Sequence, residues 1–151
     1  MIRSTVNLRQ TRGPDAPDIA ELLRQLGYPA DPEAIPGRLG RMAAEPDQAV
    51  LVASEGERVV GLATVIVRHV ITDDAPFARL AALIVAEDRR GRGIGRALAA
   101  AAEDIAVSAG CSVIEVTSGD HRPGAHAFYR SLGYEERPRR FLKRLPPGSG
   151  Q

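Results

Sequence analysis

Apolar residues follow two different periods along this chain. In DAPDIAELLRQLG, residues 15–27, Ile19, Leu22, Leu23 and Leu26 return at helical spacing, and Gly27 is placed to stop the helix. Asp15 or Asp18 can supply its N-cap. TVNLRQT, just before, is short and alternating and predicts an opening strand. PEAIPGRLGRMAAE predicts a weaker helix, interrupted by Pro36, Gly37 and Gly40. AVLVAS and RVVGLATVIVRHVI are rich in β-branched residues and flank EGE, which predicts a hairpin. TDDAP reads as a turn. FARLAALIVAE is a continuous apolar run, the pattern of a strand covered on both faces.

The next stretch changes character. EDRRGRGIGRALAAAAEDI, residues 87–105, opens with arginines at 89, 90, 92 and 96 and glycines at 91, 93 and 95. It then becomes a helix with Ile94, Leu98, Ala101 and Ile105 on one face, ended by Gly110. CSVIEVTS predicts another buried strand, PGAHAFYRSLG a short helix closed by Gly133, and RRFLKRL a last strand. With no internal repeat and no linker, this order predicts one α/β domain around a mixed sheet. The domain spans residues 1–145, and PPGSGQ, 146–151, reads as a flexible tail.

Composition narrows the partners. At 151 residues, 44% hydrophobic and 26% charged, the chain is that of an ordinary globular protein. A formal net charge of +1 gives no global field for nucleic acid. The basic residues are nevertheless clustered, at Arg89–Arg96 and again at Arg137, Arg139, Arg140, Lys143 and Arg144. That favours a discrete anionic ligand over a polyanionic track. The single Cys111 excludes an internal disulfide and offers no metal-ligand spacing. The start lacks the apolar core of a signal peptide, and no apolar run is long enough to span a bilayer. A cytoplasmic protein without metal, membrane or nucleic-acid partner is expected.

The glycine loop carries the chemistry. Between a strand end and a helix start, free backbone N–H groups and the positive end of the helix dipole converge, which makes an anion site. Glycines allow close approach, and arginines add bidentate donors. The loop therefore points to a phosphate, above all a pyrophosphate. Both familiar nucleotide loops fail on residues: Arg96 and Ala97 follow Gly95 where a P-loop needs Lys and Ser or Thr. A dinucleotide fingerprint needs glycine where Arg96 stands.

RRGRGIG contains Arg90-x-x-Gly93-x-Gly95, which resembles the Q/R-x-x-G-x-G/A signature of the GCN5-related N-acetyltransferases (GNAT). AHAFYRSLGY, Ala125–Tyr134, is similar to that family's A-x-x-F-Y-x-x-x-G-F/Y segment, in the same order. The resemblance covers nearly the whole chain. It implies a mixed, mostly antiparallel sheet flanked by helices. It also implies acetyl-CoA as co-substrate, its pyrophosphate on Arg90, Gly91, Arg92, Gly93, Ile94, Gly95 and Arg96. The pantetheine arm would pair with backbone at Leu83, Ile84 and Val85 as an added strand.

The activity so implied is direct acetyl transfer to a primary amine, with a small amine as acceptor. A homodimer is common in the family, although nothing in this sequence shows one. An acetyl-CoA-binding regulatory module without turnover is the alternative. Tyr129 matches the family position that protonates the departing sulfur; packing against the sheet is its plainer role. For the base, Glu115 draws attention as a charge within an apolar strand. A carboxylate buried there would suit proton acceptance, whereas one at the solvent face or beside an arginine would be structural. His121 and His126 read as surface or packing residues, Cys111 as structural, and Asp73 and Asp74 as turn residues. Two departures stand out. Arg122 occupies a position where many members have asparagine, and Glu87 one where proline is usual.

Overall fold

The computed structural model describes residues 6–117, 123–137 and 141–147. They form two compact units, Met1–Thr117 and Ser118–Gln151. The first holds β1 (Asn7–Gln10), α1 (Ala16–Leu26), α2 (Ile35–Ala43), β2 (Gln48–Glu55), β3 (Arg58–Arg68), β4 (Phe77–Val85), α3 (Ile94–Ser108) and β5 (Val113–Val116). The five strands make one sheet in the order β1-β2-β3-β4-β5. Its first three pairings are antiparallel, and β4 with β5 is parallel. The mixed, mostly antiparallel sheet with helices packed on it is the architecture expected.

The core sits around β3. Consecutive residues from Val59 to Val65 are buried, so both faces of that strand are covered, and α1 and α3 both pack on it. Ile19 and Leu22 enter from α1, and Ile94, Leu98, Ala99, Ala102 and Ala106 from α3. The buried stripe of α3 thus differs from the expected one. Ala101 and Ile105 are only half-buried, because in an alanine-rich stretch more than one stripe is apolar and packing on β3 selects among them.

Gly27 ends α1 as expected, in the left-handed conformation at φ 98°. At its start Asp15 occupies the N-cap position, one of the two expected, but neither aspartate's side chain makes a capping hydrogen bond to the helix. Asp18 accepts the Val59 N–H at 2.9 Å, fastening α1 to β3. Asp15 accepts both terminal guanidinium nitrogens of Arg9, at 2.8 and 2.9 Å, and the Arg12 N–H at 2.7 Å. Nor is α2 interrupted: Pro36 lies in its first turn, where the missing N–H has no helical acceptor to lose, and Gly37 and Gly40 are carried within it.

Other boundaries also move. β3 stops at Arg68, leaving Val70 and Ile71 exposed. β4 alternates in burial rather than being covered throughout, with Arg79 and Ala81 exposed. β5 is not a buried strand, because it lies at the sheet's edge and Val113 is 59% exposed. Residues 141–147 form no strand, and Phe141 is exposed. In the second unit, α4 (Pro123–Ser131) is followed by Gly133 in the left-handed region at φ 92°. His121, Arg122, Arg139, Arg140 and residues 148–151 of the tail lie outside the described residues. Among the described residues no helix is long and apolar enough to cross a membrane.

The buried Asp15 gives an acid-stability prediction. Hydrogen bonds from Arg9 lower its carboxyl pKa below the usual carboxylate value. A lowered folded-state pKa means stability that is complete above the unfolded value and lost as pH falls through the folded one. The wild-type unfolding midpoint should therefore drop as pH falls from about 5 toward 2. Asp15→Asn should start about 1 kcal/mol less stable at neutral pH and lose less on acidification. Parallel acid limbs in the two proteins would remove Asp15 as a source of the pH dependence.

Candidate active site

The open edge of β4 is where the site begins. Phe77 to Leu80 pair with Val113 to Val116 of β5, and pairing then ends. At the same place the β3–β4 register shifts: Val65 faces Leu80 and Thr64 faces Ala82, so Ala81 is an extra, bulged residue. Bulges increase local twist and turn a strand away from its neighbour. Beyond it, among the described residues, only β3 pairs with β4. The Ala86 N–H donates to Val60 O at 2.8 Å, and antiparallel alternation follows from that bond. Ile84 turns its N–H and C=O toward β3, and its side chain is buried. Leu83 and Val85 turn theirs toward the open side.

The chain then enters a short turn, Glu87–Arg89, and the glycine loop. Gly91 and Gly93 adopt φ of 79° and 84°, a region that residues with a Cβ rarely enter. Gly93 is the N-cap of α3 and supplies no side-chain acceptor, and the first turn contains no acid. The N–H groups of Ile94, Gly95 and Arg96 precede the first intrahelical bond, which runs from Ala97 N–H to Gly93 O at 3.0 Å. Ile94 anchors the helix with a buried side chain, so only its N–H is available to a ligand.

The arginines divide by what they already hold. Arg89 is paired with Glu55 and Asp88. Arg90 donates Nε to Val85 O at 3.3 Å, which lays its side chain along the open β4 edge. Arg92 and Arg96 are exposed and, among the described residues, in no ion pair. Among the described residues the loop thus has N–H groups ahead of the first intrahelical bond, a helix-dipole positive end and two guanidiniums outside any ion pair in one short stretch. That combination can hold a phosphate-bearing ligand.

The remaining expected residues fare differently. Glu115 is not buried: it faces Arg79 across the β4–β5 pair and accepts from its Nε at 2.9 Å, both side chains nearly half exposed. The burial that motivated a base there is absent. Asp73 accepts the Ala75 N–H and the Ser112 hydroxyl, as a turn residue does. Cys111 is half-buried and unpaired by disulfide. Among the described residues no three His, Cys, Asp or Glu side chains cluster as a metal site.

In the second unit, Tyr129 lies on α4 with its ring edge-on to Phe128 (5.2 Å between centroids) and to Tyr134 (5.6 Å). Arg130 is paired with Glu136. The first unit therefore brings Leu83, Val85 and the loop together, and Tyr129 belongs to the second. Sequence reasoning missed Glu55, Arg58, Asp88 and Gln25, all of which touch the loop's base. For Glu55 and Arg58 the one signal was the dense charge of EGER at the hairpin turn; Gln25 and Asp88 had none of that kind.

Comparison with known proteins follows the same outline. The model of the acetyltransferase (GNAT) family matches residues 16–134. An aminoglycoside N(6')-acetyltransferase type 1 of Stenotrophomonas maltophilia is 34% identical over 151 residues, covering 97% of each chain. The fold recurs at a TM-score of 0.83 in a transcriptional regulator from Bacillus halodurans C-125, 22% identical over 93% of this chain and all of that one. It recurs at 0.80 in an aminoglycoside N-acetyltransferase solved in complex with CoA, 20% identical over 96% of this chain and 99% of that one. At those identities the two structures bear on the fold alone.

Proposed function

Because this chain belongs to the acetyltransferase (GNAT) family, we propose that it transfers the acetyl group of acetyl-CoA directly to a primary amine on a small acceptor. The observation that carries the proposal is that two backbone regions follow one another in the chain which, among the described residues, have no neighbouring strand and no side-chain cap. The open β4 edge at Leu83 and Val85 leads, through the Glu87–Arg89 turn and the glycine loop, to the start of α3, which has no side-chain cap. A pantetheine arm has amides spaced to pair with the first, and a pyrophosphate has the charge for the second. The small acceptor is supported by the 34%-identical relative, whose name gives an aminoglycoside as its substrate.

In this reading the amide N–H groups from Gly93 to Arg96 hold the pyrophosphate, with Arg92 and Arg96 neutralising it. Arg90 leaves Val85 O as the pantetheine takes that acceptor, and its guanidinium joins the phosphates. The neutral amine attacks the thioester carbonyl carbon. The oxygen that gains charge takes a hydrogen bond from the N–H of Leu83 or Val85, a donor worth roughly 10²–10³ in rate. Collapse breaks the C–S bond, the thiolate takes the Tyr129 phenol proton, and solvent then returns a proton to the phenolate so that the residue is ready for the next turnover. The amine's proton passes to solvent. Glu115 has no part in the scheme, since it is occupied with Arg79 at the solvent face.

Thermal unfolding with acetyl-CoA, CoA, NAD and ATP tests the cofactor. At a hundredfold excess over Kd, binding adds about 2.7 kcal/mol, and the midpoint should rise by several degrees, on the order of 5 °C. The rise is expected with CoA compounds alone, followed by thiol release when amines are added. A rise with ATP or NAD instead would overturn the reading. CoA binding without thiol release on any amine would favour a module that binds and does not turn over.

A further inference from the structure

Two arginines at the base of the glycine loop are tied to acids. Arg58, the first residue of β3, donates from Nη1 and Nη2 to both oxygens of Asp88, at 2.9 and 2.8 Å. Arg89 donates from Nε to Glu55, the last residue of β2, at 2.6 Å, and from Nη1 to Asp88 at 3.2 Å. The Arg89 and Glu55 side chains are only 27% and 25% exposed, so water screens this pair less than Arg58–Asp88. Arg58 donation holds the Asp88 carboxyl below the usual carboxylate range, as expected for a carboxylate bound by a guanidinium. Backbone bonds add to the hold: Gln25 of α1 accepts the Glu87 N–H, and Arg89 N–H donates to Ala86 O, both at 2.9 Å.

The arrangement is lopsided. Before Arg90 the loop is fastened to the ends of the β2–β3 hairpin and to α1. From Gly91 to Arg96, among the described residues, no side chain makes a hydrogen bond or ion pair, and two glycines take left-handed conformations. A glycine pair of this kind leaves the unfolded and loosened loop many alternatives. Something upstream must fix the direction in which the Gly93–Arg96 amides face, or ligand binding would carry the cost of ordering them.

Resting on the acetyl-CoA reading above, we propose that Glu55, Arg89, Asp88 and Arg58 are positioning residues for the cofactor loop. They act through the loop's backbone and touch no ligand. Arg89, although it stands in the arginine-rich stretch, is on this account a structural strut rather than a phosphate ligand. The β2–β3 hairpin then has a function beyond completing the sheet, as its two end residues set the loop. The Arg58–Asp88 pair is exposed and adds little to overall stability, and Arg89 keeps Asp88 as a partner when Glu55 is changed, so the effect should be read in cofactor binding rather than in unfolding.

Glu55→Gln and Arg58→Met, singly and together, provide the test. The double variant should raise KM for acetyl-CoA about tenfold through loss of preorganised geometry. Its kcat should stay within about twofold, since no group that meets the reacting atoms has changed. The unfolding midpoint should move by no more than a few degrees, about the worth of exposed pairs. Arg58→Lys, which keeps the charge, should recover part of the lost affinity. An unchanged KM in the double variant would overturn the proposal, as would a KM increase that comes only with a proportionate fall in midpoint. Wild-type protein that no CoA compound stabilises would sink the cofactor reading itself. Wild-type stabilisation with an unaffected double variant would sink only the positioning role.

Discussion

A Tyr129→Phe variant is expected to lose about a hundredfold or more in turnover while binding acetyl-CoA as the wild type does. The substitution keeps the ring, and with it the edge-on contacts to Phe128 and Tyr134 that pack the second unit. Only the hydroxyl is removed. In the proposed scheme that hydroxyl meets the sulfur after the C–S bond has begun to break, so it contributes to the transition state and little to the ground state. The signature is therefore a fall in kcat and kcat/KM together, with no loss of the thermal shift produced by CoA. A free thiol has a pKa near 8.5, and its thiolate can leave unaided at some rate, so residual activity is expected. Turnover equal to wild type would remove Tyr129 from the mechanism and leave protonation of the sulfur to water.

The second large effect concerns the helix that carries the loop. Leu98 is fully buried, and Leu98→Ala should cost about 2–5 kcal/mol through lost burial and the cavity left behind. That lowers the midpoint on the order of 10 °C in a chain of this size. Gly61 of β3 lies directly beneath it. A Cβ at Gly61 would stand 2.8 Å from Leu98 Cδ1, 3.2 Å from Ile94 Cγ2 and 3.3 Å from Ile84 O. Gly61→Ala alone should therefore cost about 1–3 kcal/mol by overpacking. It should also weaken acetyl-CoA binding, because Ile94 is the first residue of α3 and its displacement moves the N–H groups beside it. In the double variant the new methyl enters the space Leu98 has vacated, and the cost should fall below the sum by about 1 kcal/mol. Strict additivity in chemical denaturation would mean that α3 does not press on Gly61.

The contrast between these two residues and Glu115 shows what a sequence can reveal. Gly27, the hairpin around Gly56 and the loop from Arg90 to Arg96 were all legible, because each is announced by its own residues. The bulge at Ala81 was not. It is a mismatch in count between β3 and β4, and nothing in FARLAALIV marks which alanine is extra. The same holds for the apolar run of β5, whose exposure follows from its place at the sheet's edge. Asp15 and Asp18 look like helix caps, yet Arg9 and the Val59 N–H take their carboxylates instead. Glu115 looked like a misplaced charge until Arg79 appeared opposite it in the register.

By itself, then, the chain determined its elements from β1 to α4, their order and the presence of an anion-seeking loop with an acetyltransferase resemblance, though not the last strand expected in RRFLKRL. Those properties are set over a few neighbouring residues, by helical and strand periodicity and by the backbone freedom of glycine. Only the tertiary structure decided which charges remain free to act. Arg89, Arg58 and Glu115 are bound to partners far away in sequence, while Arg92 and Arg96 are left exposed. It also decided where β4 is open among the described residues, since pairing with β5 ends at Leu80. A charge or a backbone amide becomes a site when folding leaves it without a partner, and partners are assigned by contacts between distant segments.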